Sequence, residues 1–254
     1  MNIDLTGKVA LISGASRGVG RAIALKFAES GADVVVNYVS SRKNAEEVAK
    51  QIASLGRRVW VVKADVSEKD DVDSMLEFVE REIGRLDILV SNAASGGFRP
   101  MLQASHNNFR ATFETNVLAF LWLVQAAAPL LSRNEERGKV LTIASHGVTH
   151  AIANYGLVGA SKAALEAVVR NLTLEVGDKI NVNVVRAGLI KTDSTARLPG
   201  SEGMFAVQVE RTQVGDRILQ PEDIADAALF LCSKYSDMIQ GATLVVDGGG
   251  GFRA

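Results

Sequence analysis

This 254-residue sequence has little of what marks secreted, metal-binding or nucleic-acid-binding proteins. It contains one cysteine and three histidines, and its formal net charge is −1. The lone Cys232 cannot form an internal disulfide, which fits a reducing compartment. A near-neutral chain gives no reason to expect nucleic acid or an anionic membrane as a partner. No pair among His106, His146 and His150 combines helical metal-ligand spacing with a nearby acid. We therefore expect no metal, and a solvated loop position for His146.

Long apolar runs and targeting signals are also scarce. The longest apolar run, "VLAFLWLVQAAAPLL", is interrupted by Gln125 and Pro129 and is too short to span a bilayer. The first residues, "MNIDLTGKVALIS", lack the basic leader and apolar stretch of a secretory signal. We therefore expect a cytoplasmic protein that does not enter a membrane.

What the sequence does contain is a regular alternation of short β-branched runs and longer helical patterns. Runs such as "DVVVNY" (33–38) and "KVLTIAS" (139–145) are almost continuously apolar, as expected of parallel strands covered on both faces. Seven runs of this kind occur, and the chain has no evident linker or internal repeat. The alternation predicts an α/β fold: a single-domain, doubly wound Rossmann-type seven-stranded parallel sheet flanked by helices, over residues 1–254.

The segment "ISGASRGVGRAIA" indicates a dinucleotide-binding site. It places Gly14, Gly18 and Gly20 directly after the first strand and at the start of the first helix. Glycines there permit a tight turn and close backbone approach, and the helix N-terminus offers N–H groups to a pyrophosphate. An ordinary glycine-rich turn is the alternative, but the flanking strand and helix favour the cofactor site. The other loop residues predicted to contact the cofactor are Ser16, Arg17 and Val19.

The end of the second strand predicts which dinucleotide binds. NAD sites usually carry an acid there, to hold the ribose diol. In this chain Asn37 takes that place, Ser40 and Arg42 follow it, and the next carboxylate is Glu46. Arg17 can reach the same corner. Hydroxyls and cations without a competing acid suit a 2′-phosphate, so we predict NADPH, with a solvated helix start as the alternative.

Two further strand ends are predicted to border the cofactor, because ligands bind at the carboxyl ends of parallel strands. Asp65 and Val66 follow the third strand, where they would bracket the adenine. Asn92, Ala93 and Ala94 follow the fourth strand, and their small size allows the chain to approach the cofactor closely.

These motifs together resemble the short-chain dehydrogenase/reductase family along nearly the whole chain. The matching segments are the three glycines, "ADV" (64–66), "NAA" (92–94), Asn116 in "ETNVLA", Ser145 in "TIAS", Lys162 in "GASKAALEA", "AGLIKTD" (187–193) and "VVDGG" (245–249). The chain departs from the commonest family pattern at Ser13 in place of Thr, Ser95 in place of Gly and Ala187 in place of Pro.

The most consequential departure concerns the catalytic tyrosine. In the commonest form a Tyr stands four residues before the Lys, but here Val158 occupies that position and Tyr155 lies seven residues before Lys162. This Tyr-x6-Lys form is similar to the NADPH-dependent type III enoyl-acyl-carrier-protein reductases. On a helix, spacings of four and seven turn by about 40° and about −20°, so both put the Tyr on the Lys face. Tyr155 starts about 10 Å along the axis from Lys162, against about 6 Å for the commoner spacing.

The resemblance implies roles for individual residues. It implies that Lys162 holds the nicotinamide ribose and adds positive charge. It places Ile190 and Thr192 against the carboxamide, with Gly188 at the same strand end.

On the catalytic side, the resemblance implies that Tyr155 donates a hydrogen bond to the developing enolate oxygen. Ser145 matches the family's catalytic serine. Asn116 is either structural or positions a water in a proton chain.

The expected function is NADPH-dependent reduction of the carbon–carbon double bond of a 2-enoyl thioester, in fatty-acid or related biosynthesis. The acyl group would be carried on acyl carrier protein or coenzyme A. One alternative is a carbonyl reductase, for 3-ketoacyl or other substrates. Another is a non-catalytic NADPH-binding scaffold or sensor, for which Val158 is the only support.

Two expectations concern assembly and access. The segment 117–131 is apolar nearly all round and needs burial on more than one side. The family resemblance implies that this helix and the one bearing Lys162 pack against a partner, so we expect a homotetramer. The segment 193–215 mixes glycines with Met204, Phe205 and Val207, which predicts a lid over the acyl chain, with an ordinary surface loop as the alternative.

Overall fold

A seven-stranded sheet with only parallel pairings forms the centre of the molecule. The computed structural model describes residues 3–196, 200–215 and 217–252. The strand order is β3-β2-β1-β4-β5-β6-β7. The strands are β1 Val9–Ile12, β2 Asp33–Tyr38, β3 Val59–Lys63, β4 Ile88–Ser91, β5 Gly138–Ser145, β6 Ile180–Ala187 and β7 Thr243–Val246. The winding direction reverses between β1 and β4, which opens a crevice at the carboxyl edge where ligands bind in such sheets. The predicted fold class is confirmed.

Helices cover both faces of the sheet. They are α1 Gly18–Glu29, α2 Arg42–Ser54, α3 Lys69–Phe78, α4 His106–Phe113, α5 Ala119–Leu131, α6 Gly156–Val176, α7 Asp193–Ala196, α8 Ser201–Arg211 and α9 Pro221–Leu231. A π-helical turn at Glu114–Leu118 joins α4 to α5. The segment 193–215, expected to be a lid or a surface loop, contains α7 and α8, while residues 197–199 of it lie outside the described residues.

Alternate residues of each strand supply two separate cores, which explains why the strand sequences are continuously apolar. Ala10 and Ile12 of β1 face one core, which α1, α2 and α9 cover, and the ring of Phe27 is fully buried there. Val9 and Leu11 face the other core, which α3, α5 and α6 cover. Most strand positions are packed on one side or the other, although Val61 of β3 and Val245 of β7 are exposed, so the sheet edge is held rigidly enough to present loops for binding.

The helical run His106–Leu131 is longer than the apolar segment recognised in the sequence. It is long and apolar enough to cross a membrane by length and composition, with mean hydropathy 1.3 over its best window, of which 44% is buried. Its buried side chains, among them Phe120, Leu123 and Leu131, pack in the second core against the sheet. This is the burial pattern of a core helix, and such helices satisfy the same test of length and composition.

A buried ion pair fastens α6 to the sheet beneath the expected active site. Arg186 on β6 donates from Nε to Glu166 Oε1 at 2.8 Å and from Nη2 to Oε2 at 2.6 Å. The Glu166 and Arg186 side chains are only 5% and 16% exposed. A bidentate pair of this kind fixes the rotation of α6 as well as its distance from β6. It therefore determines which face of α6, and hence Lys162, meets the carboxyl edge.

Candidate functional site

The glycine-rich loop after β1 has the geometry of a dinucleotide cradle. Gly14 and Gly18 adopt positive φ angles of 63° and 55°, which favour glycine. A Cβ atom added to Gly20 would lie 2.5 Å from the Gly14 carbonyl oxygen and would also overlap the Asn92 side chain. The loop therefore requires glycine at these positions, and its backbone is open to close approach by a ligand.

Ser13 ties this loop to the loop after β4, a role that sequence reasoning did not assign. It is fully buried, and its Oγ accepts hydrogen bonds from the backbone N–H groups of Asn92 at 2.9 Å and Ala93 at 3.0 Å. The Asn92 side chain in turn donates to the carbonyls of Ser13 and Gly14. The sequence did contain one indication of this role. Ser13 takes the place of the Thr usual in the family it resembles and keeps the hydroxyl oxygen that accepts these hydrogen bonds.

Asn37, which was expected to contact the cofactor, instead forms buried hydrogen bonds within the protein. Its side chain is 1% exposed. Its Oδ1 accepts from the Gly14 N–H at 3.1 Å, and its Nδ2 donates to the carbonyl of Ala64 at 3.0 Å. Asn37 therefore shapes the glycine-rich loop from below, and its amide is turned away from the crevice.

The two cations and the serine predicted to bind the 2′-phosphate lie at the N-termini of α1 and α2. Arg17 is the N-cap residue of α1, where its side chain makes no capping bond. Ser40 is exposed just before α2. Arg42, the first residue of α2, is 78% exposed and pairs with Glu46 at 2.7 Å. The carboxylate nearest in sequence thus contacts Arg42, and a phosphate would have to compete with it.

The residues expected around the adenine and the nicotinamide lie along the same edge. Asp65 turns back on its own loop, because its Oδ1 accepts from the Ser67 N–H and hydroxyl, and Val66 is buried. Ala93 packs on Gly14, and a Cβ atom on Gly14 would lie 3.1 Å from the Ala93 Cα.

The far wall of the crevice comes from the segment after β6. Gly188 donates its N–H to the Val246 carbonyl at 2.9 Å, and Ile190 is buried and bridges to Leu219. The Thr192 Cγ2 lies 3.7 Å from the position of a Cβ atom on Gly18. The structure thus brings Thr192 close to the glycine-rich loop.

These observations fit a bound dinucleotide. The cradle at Gly14 and Gly20 has no room for side chains, the N-terminus of α1 has no side-chain cap, and Arg17 and Arg42 lie at the N-termini of α1 and α2. The pyrophosphate would lie over residues 14–20, and the nicotinamide half would lie between the loop after β4 and Thr192.

Tyr155 stands at the N-cap position of α6, with its ring inside the molecule. The ring centroid is 5.3 Å from that of Phe98. The side chain of Ser145 is hydrogen-bonded to the Tyr155 hydroxyl, and burial raises the pKa of this phenol above its ordinary value. The structure therefore brings together Tyr155 and Ser145, two of the residues predicted to carry the chemistry.

Two glycines make this position of the ring possible. A Cβ atom on Gly147 would lie 2.5 Å from the Tyr155 ring, and one on Gly159 would lie 2.5 Å from the Gly147 carbonyl oxygen. The turn after β5 and the first turn of α6 therefore touch through backbone atoms alone.

Val158 fills the position where the commoner family pattern has its tyrosine. Its side chain is 7% exposed, and its Cγ2 would overlap a Cβ atom on Gly96, whose φ angle is 148°. A ring at position 158 would collide with the loop after β4 in this conformation. Val158 thus packs against the loop after β4, and the phenol of Tyr155 lies on the side of α6 that the loop leaves open.

Lys162 lies seven residues beyond Tyr155 on α6, and its side chain is buried. Its Nζ donates to the Ile143 carbonyl at 2.7 Å. Burial lowers the pKa of this ammonium from 10.5 to about 8. Two vicinal ribose hydroxyls at this point would supply the additional acceptors that a buried ammonium needs.

The Asn116 side chain forms its hydrogen bonds with other groups of the protein. In the π-helical turn it accepts from the Ser95 N–H at 2.9 Å and donates to the Ser95 carbonyl and the Ser161 hydroxyl, both at 2.9 Å. The geometry favours the structural alternative of the two roles considered for this residue. It clamps the loop after β4 to α6 next to Lys162.

A pocket of about 370 Å³ opens beside the Tyr155 ring, on the side where a substrate would enter. It is lined by Arg99, Met101, Gly147, His150, Ala151, Ile152, Asn154, Tyr155 and Gly156. Its lining includes the apolar side chain of Met101, which is 57% exposed, and Phe98, which is 40% exposed, lies against the Tyr155 ring. The pocket can therefore accept an apolar group close to the phenol.

His146 is not the solvated loop residue that the sequence indicated. Its side chain is 15% exposed, and its Nε2 lies 2.9 Å from Asp247 Oδ2 after β7. Burial lowers its pKa, although Asp247 acts in the opposite direction. The partner is 101 positions away along the chain, so no local pattern could have revealed it.

Replacing Lys162 with Met should make the cofactor-free protein at least as stable as wild type at pH 7. A pKa lowered from 10.5 to about 8 means that below pH 8 the fold carries a buried charge costing about 3 kcal/mol, offset by about 1 kcal/mol for the bond to Ile143. Between pH 8 and 10.5 the unfolded chain binds more protons, so wild-type stability rises with pH and the difference shrinks.

Urea unfolding at pH 7 and at pH 9.5 measures this difference. Lys63→Met, at an exposed lysine on β3, is the matched control and should give equal differences at both pH values. A Lys162→Met variant that is less stable than wild type by the same amount at both pH values would contradict the assignment of a buried ammonium.

Comparison with known proteins places this geometry in a family. Residues 14–250 match a family model described as Enoyl-(Acyl carrier protein) reductase. The chain is 36% identical to the 7α-hydroxysteroid dehydrogenase of Escherichia coli over 250 residues, which is 98% of this chain and 96% of that protein. It is 34% identical to the 1-cyclohexenylcarbonyl-CoA reductase of Streptomyces collinus, over 95% of this chain and 86% of that one.

Solved structures agree with these sequence matches. A 7α-hydroxysteroid dehydrogenase in complex with NADH and 7-oxo glycochenodeoxycholic acid superposes with a TM-score of 0.92 at 35% identity, covering 98% of this chain and 96% of that one. A short-chain dehydrogenase from Burkholderia cenocepacia in complex with NADP gives 0.89 at 32% identity, covering 97% and 98%. With its glycine-rich cradle and its Tyr–Lys helix, the chain belongs to the short-chain dehydrogenase/reductase family of oxidoreductases.

Proposed function

We propose that this protein uses NADPH to reduce the carbon–carbon double bond of a 2-enoyl thioester. One observation carries the proposal. The phenol that meets Ser145 is that of Tyr155, seven residues before Lys162, while the position four residues before Lys162 is walled in by Gly96. The hydrogen-bond donor is therefore displaced along α6 toward its N-terminus, away from Lys162, which would hold the ribose.

A displaced donor suits a conjugated thioester. When bound, NADPH supplies a hydride, which a 2-enoyl thioester accepts at its β-carbon, while negative charge develops on the thioester oxygen two carbons away. Tyr155 would donate its hydroxyl hydrogen to that oxygen, and Ser145 would hold the phenol in place. In a carbonyl reduction the charged oxygen is bonded directly to the accepting carbon, and the donor has to lie closer to the nicotinamide.

The similarity to known proteins also supports a thioester. The matching family model is described as Enoyl-(Acyl carrier protein) reductase, and the Streptomyces collinus relative is named for a conjugated cyclohexenylcarbonyl-CoA. The pocket lined by Met101 and Tyr155 would receive the acyl chain. The carrier would be acyl carrier protein or coenzyme A, and the setting fatty-acid or related biosynthesis in the cytoplasm. The helix α8 would act as a lid, with Met204 and Phe205 half-buried on it.

The second candidate function is reduction of a carbonyl group. It is favoured by the hydrogen bond between Ser145 and Tyr155, since a Ser–Tyr pair can also polarise a ketone, and by the 36% identity to the 7α-hydroxysteroid dehydrogenase. A shorter reach between phenol and nicotinamide would be needed for that reaction.

One assay separates the two functions. Purified protein is given NADPH with crotonyl-CoA or with acetoacetyl-CoA, and NADPH oxidation is followed at 340 nm, a wavelength at which the reduced cofactor absorbs. We expect turnover of crotonyl-CoA with a higher kcat/KM than that of acetoacetyl-CoA. The reverse order would establish the carbonyl reductase, and NADPH binding without turnover of either would indicate a scaffold.

We expect a homotetramer. The π-helical turn before α5, the helix α6 and the sheet edge at β7 carry exposed apolar side chains, with Leu118 37%, Leu174 88% and Val245 44% exposed. Contact with further copies would cover them. Sedimentation equilibrium at micromolar concentration measures the mass, and a monomer of 27.0 kDa would contradict the expectation.

Cofactor preference should depend on Arg42. Arg42→Ala should raise the KM for NADPH far more than the KM for NADH, because only NADPH carries the 2′-phosphate that the guanidinium would bind. Glu46→Gln should lower the KM for NADPH, because it removes the carboxylate that now pairs with Arg42.

The matched control is Arg58→Ala. Arg58 is an exposed arginine paired with Asp33 at the opposite end of β2, so its loss should change neither KM. Equal effects of Arg42→Ala on both cofactors would refute the assignment of this corner to a 2′-phosphate.

Tyr155→Phe should lower kcat by about 10²- to 10⁴-fold, the usual cost of losing a positioned proton or oxyanion donor. The ring contacts to Phe98 and Gly147 are kept, so folding and NADPH affinity should be unchanged. Tyr235→Phe removes a hydroxyl elsewhere and serves as the control. A Tyr155→Phe enzyme with near wild-type kcat would show that the donor is another group.

A further inference from the structure

The residue directly after Ser145 is held by a contact that the proposed chemistry leaves unused. His146 begins the 3₁₀ turn His146–Val148, of which Ser145 is the N-cap. The His146 Nε2 lies 2.9 Å from Asp247 Oδ2, and the two side chains are 15% and 7% exposed. This buried contact joins the turn after β5 to the segment after β7.

Asp247 is an anchor that does not depend on His146 for its position. Its Oδ1 accepts from the Gly249 N–H at 2.8 Å, and its Oδ2 accepts from the Gly251 N–H at 2.9 Å. Gly188 also crowds it, since a Cβ atom there would lie 3.0 Å from the Asp247 Cβ. The carboxylate is therefore fixed by the backbone around it and presents Oδ2 to the imidazole.

The turn held by His146 bears on both groups expected to react. It carries Ser145 at its start, whose hydroxyl meets the phenol of Tyr155. It also carries Gly147, whose Cα leaves no room for a Cβ atom beside the Tyr155 ring. Any shift of the turn would move the serine hydroxyl and the surface on which the ring rests.

The hydrogen bonds determine the tautomers of both histidines in the turn. His146 must carry its proton on Nε2 to donate to Asp247. His150 lies with its Nε2 at 3.3 Å from the Gly251 carbonyl and its Nδ1 at 3.0 Å from the Thr149 hydroxyl, so it too carries the proton on Nε2. The two rings stack with centroids 5.4 Å apart. Neutral rings satisfy all of these contacts without placing two positive charges together.

We propose that His146 is a positioning residue for the Ser145–Tyr155 pair, which it holds in place by donating its Nε2 hydrogen to Asp247. This rests on the proposed function in that Ser145 and Tyr155 are taken as the reacting pair, but it applies equally to enoyl and carbonyl reduction. His146 acts through the turn and does not touch the substrate.

Substitution of His146 tests this contact more selectively than substitution of Asp247. The segment after β7 also contacts α8 and the residues after it, because Gln213 donates its N–H to the Gly248 carbonyl at 2.7 Å and Thr212 packs against Gly248. Substitution of Asp247 would disturb the expected lid together with the catalytic turn. Substitution of His146 leaves Asp247 its two backbone donors and changes only the link to Ser145.

Two variants of similar size separate the hydrogen bond from simple packing. His146→Gln keeps an N–H group at nearly the reach of Nε2, whereas His146→Met fills the space without a donor. We expect His146→Met to lower kcat by about 10- to 100-fold, as small misplacements of reacting groups do, with the KM for NADPH within twofold of wild type. His146→Gln should recover most of the kcat. His106→Gln, at the exposed first residue of α4, is the control and should change neither value.

A readout without substrate tests the same idea. The chain has three tyrosines, so ring resonances of ¹³C-labelled protein can be assigned by single Tyr→Phe variants. His146→Met should shift the Tyr155 ring signals while those of Tyr38 and Tyr235 stay in place, and His146→Gln should leave all three near their wild-type positions.

The imidazole itself gives a third measurement. Two-bond ¹H–¹⁵N spectra should show His146 as the neutral Nε2–H tautomer, with a pKa below the ordinary histidine value because burial outweighs the attraction of Asp247. The other charged groups facing it are His150 and Arg186, both of which lower its pKa, and Arg186 is itself paired with Glu166.

The outcomes are distinguishable from those of the proposed function. Should the wild type reduce acetoacetyl-CoA and not crotonyl-CoA, the enoyl assignment fails and the His146 variants are compared on acetoacetyl-CoA. Unchanged Tyr155 signals in His146→Met, or a wild-type kcat in that variant on the substrate that is turned over, would overturn the positioning role. So would a His146 that titrates as a mixture of tautomers.

Discussion

The backbone contact between Gly147 and Gly159 is the constraint on which the candidate active site depends. At this point the turn after β5 and the first turn of α6 approach so closely that neither residue can carry a side chain. The contact leaves the Tyr155 ring lying against Gly147, with Ser145 beside its hydroxyl. A side chain at either glycine would push α6 outward, and Lys162 would move with it because it lies on the same rigid helix.

Much of the rest of the site can be understood as holding α6 in that place. The Glu166–Arg186 pair ties its middle to β6, and Asn116 ties the loop after β4 to Ser161 at its start. A helix fastened at several points can tolerate the buried ammonium of Lys162, which on its own weakens the fold. The strong contacts around α6 thus offset the destabilising effect of the Lys162 ammonium and keep it in place for ligand binding.

The sequence predicted the sheet and the tight glycine-rich turn after β1 well because both depend on local patterns. Continuous β-branched runs identify parallel strands, and glycines directly after a strand identify the loop at residues 14–20. Sequence reasoning was weaker wherever a side chain's partner lies far away in the chain. Asn37, near the end of β2, was predicted to take the place of the ribose-binding acid, and no local pattern indicated Ala64 and Gly14, to which its amide is bonded. His146 looked solvated because Asp247 is not near it in the chain, and α8 was missed because its glycines resemble those of a loop.

The position of Asn37 has a consequence for how this protein could change its cofactor during evolution. The familiar route from NADPH to NADH introduces an acid at the end of the second strand. Here the Asn37 amide both accepts from Gly14 and donates to Ala64, and a carboxylate can do only the first of these. Asp at this position would face the Ala64 carbonyl with a negative oxygen inside the protein, so the change would lower the stability of the fold. Substitutions that change cofactor preference are therefore better tolerated at the exposed start of α2, where residues can vary without disturbing the sheet.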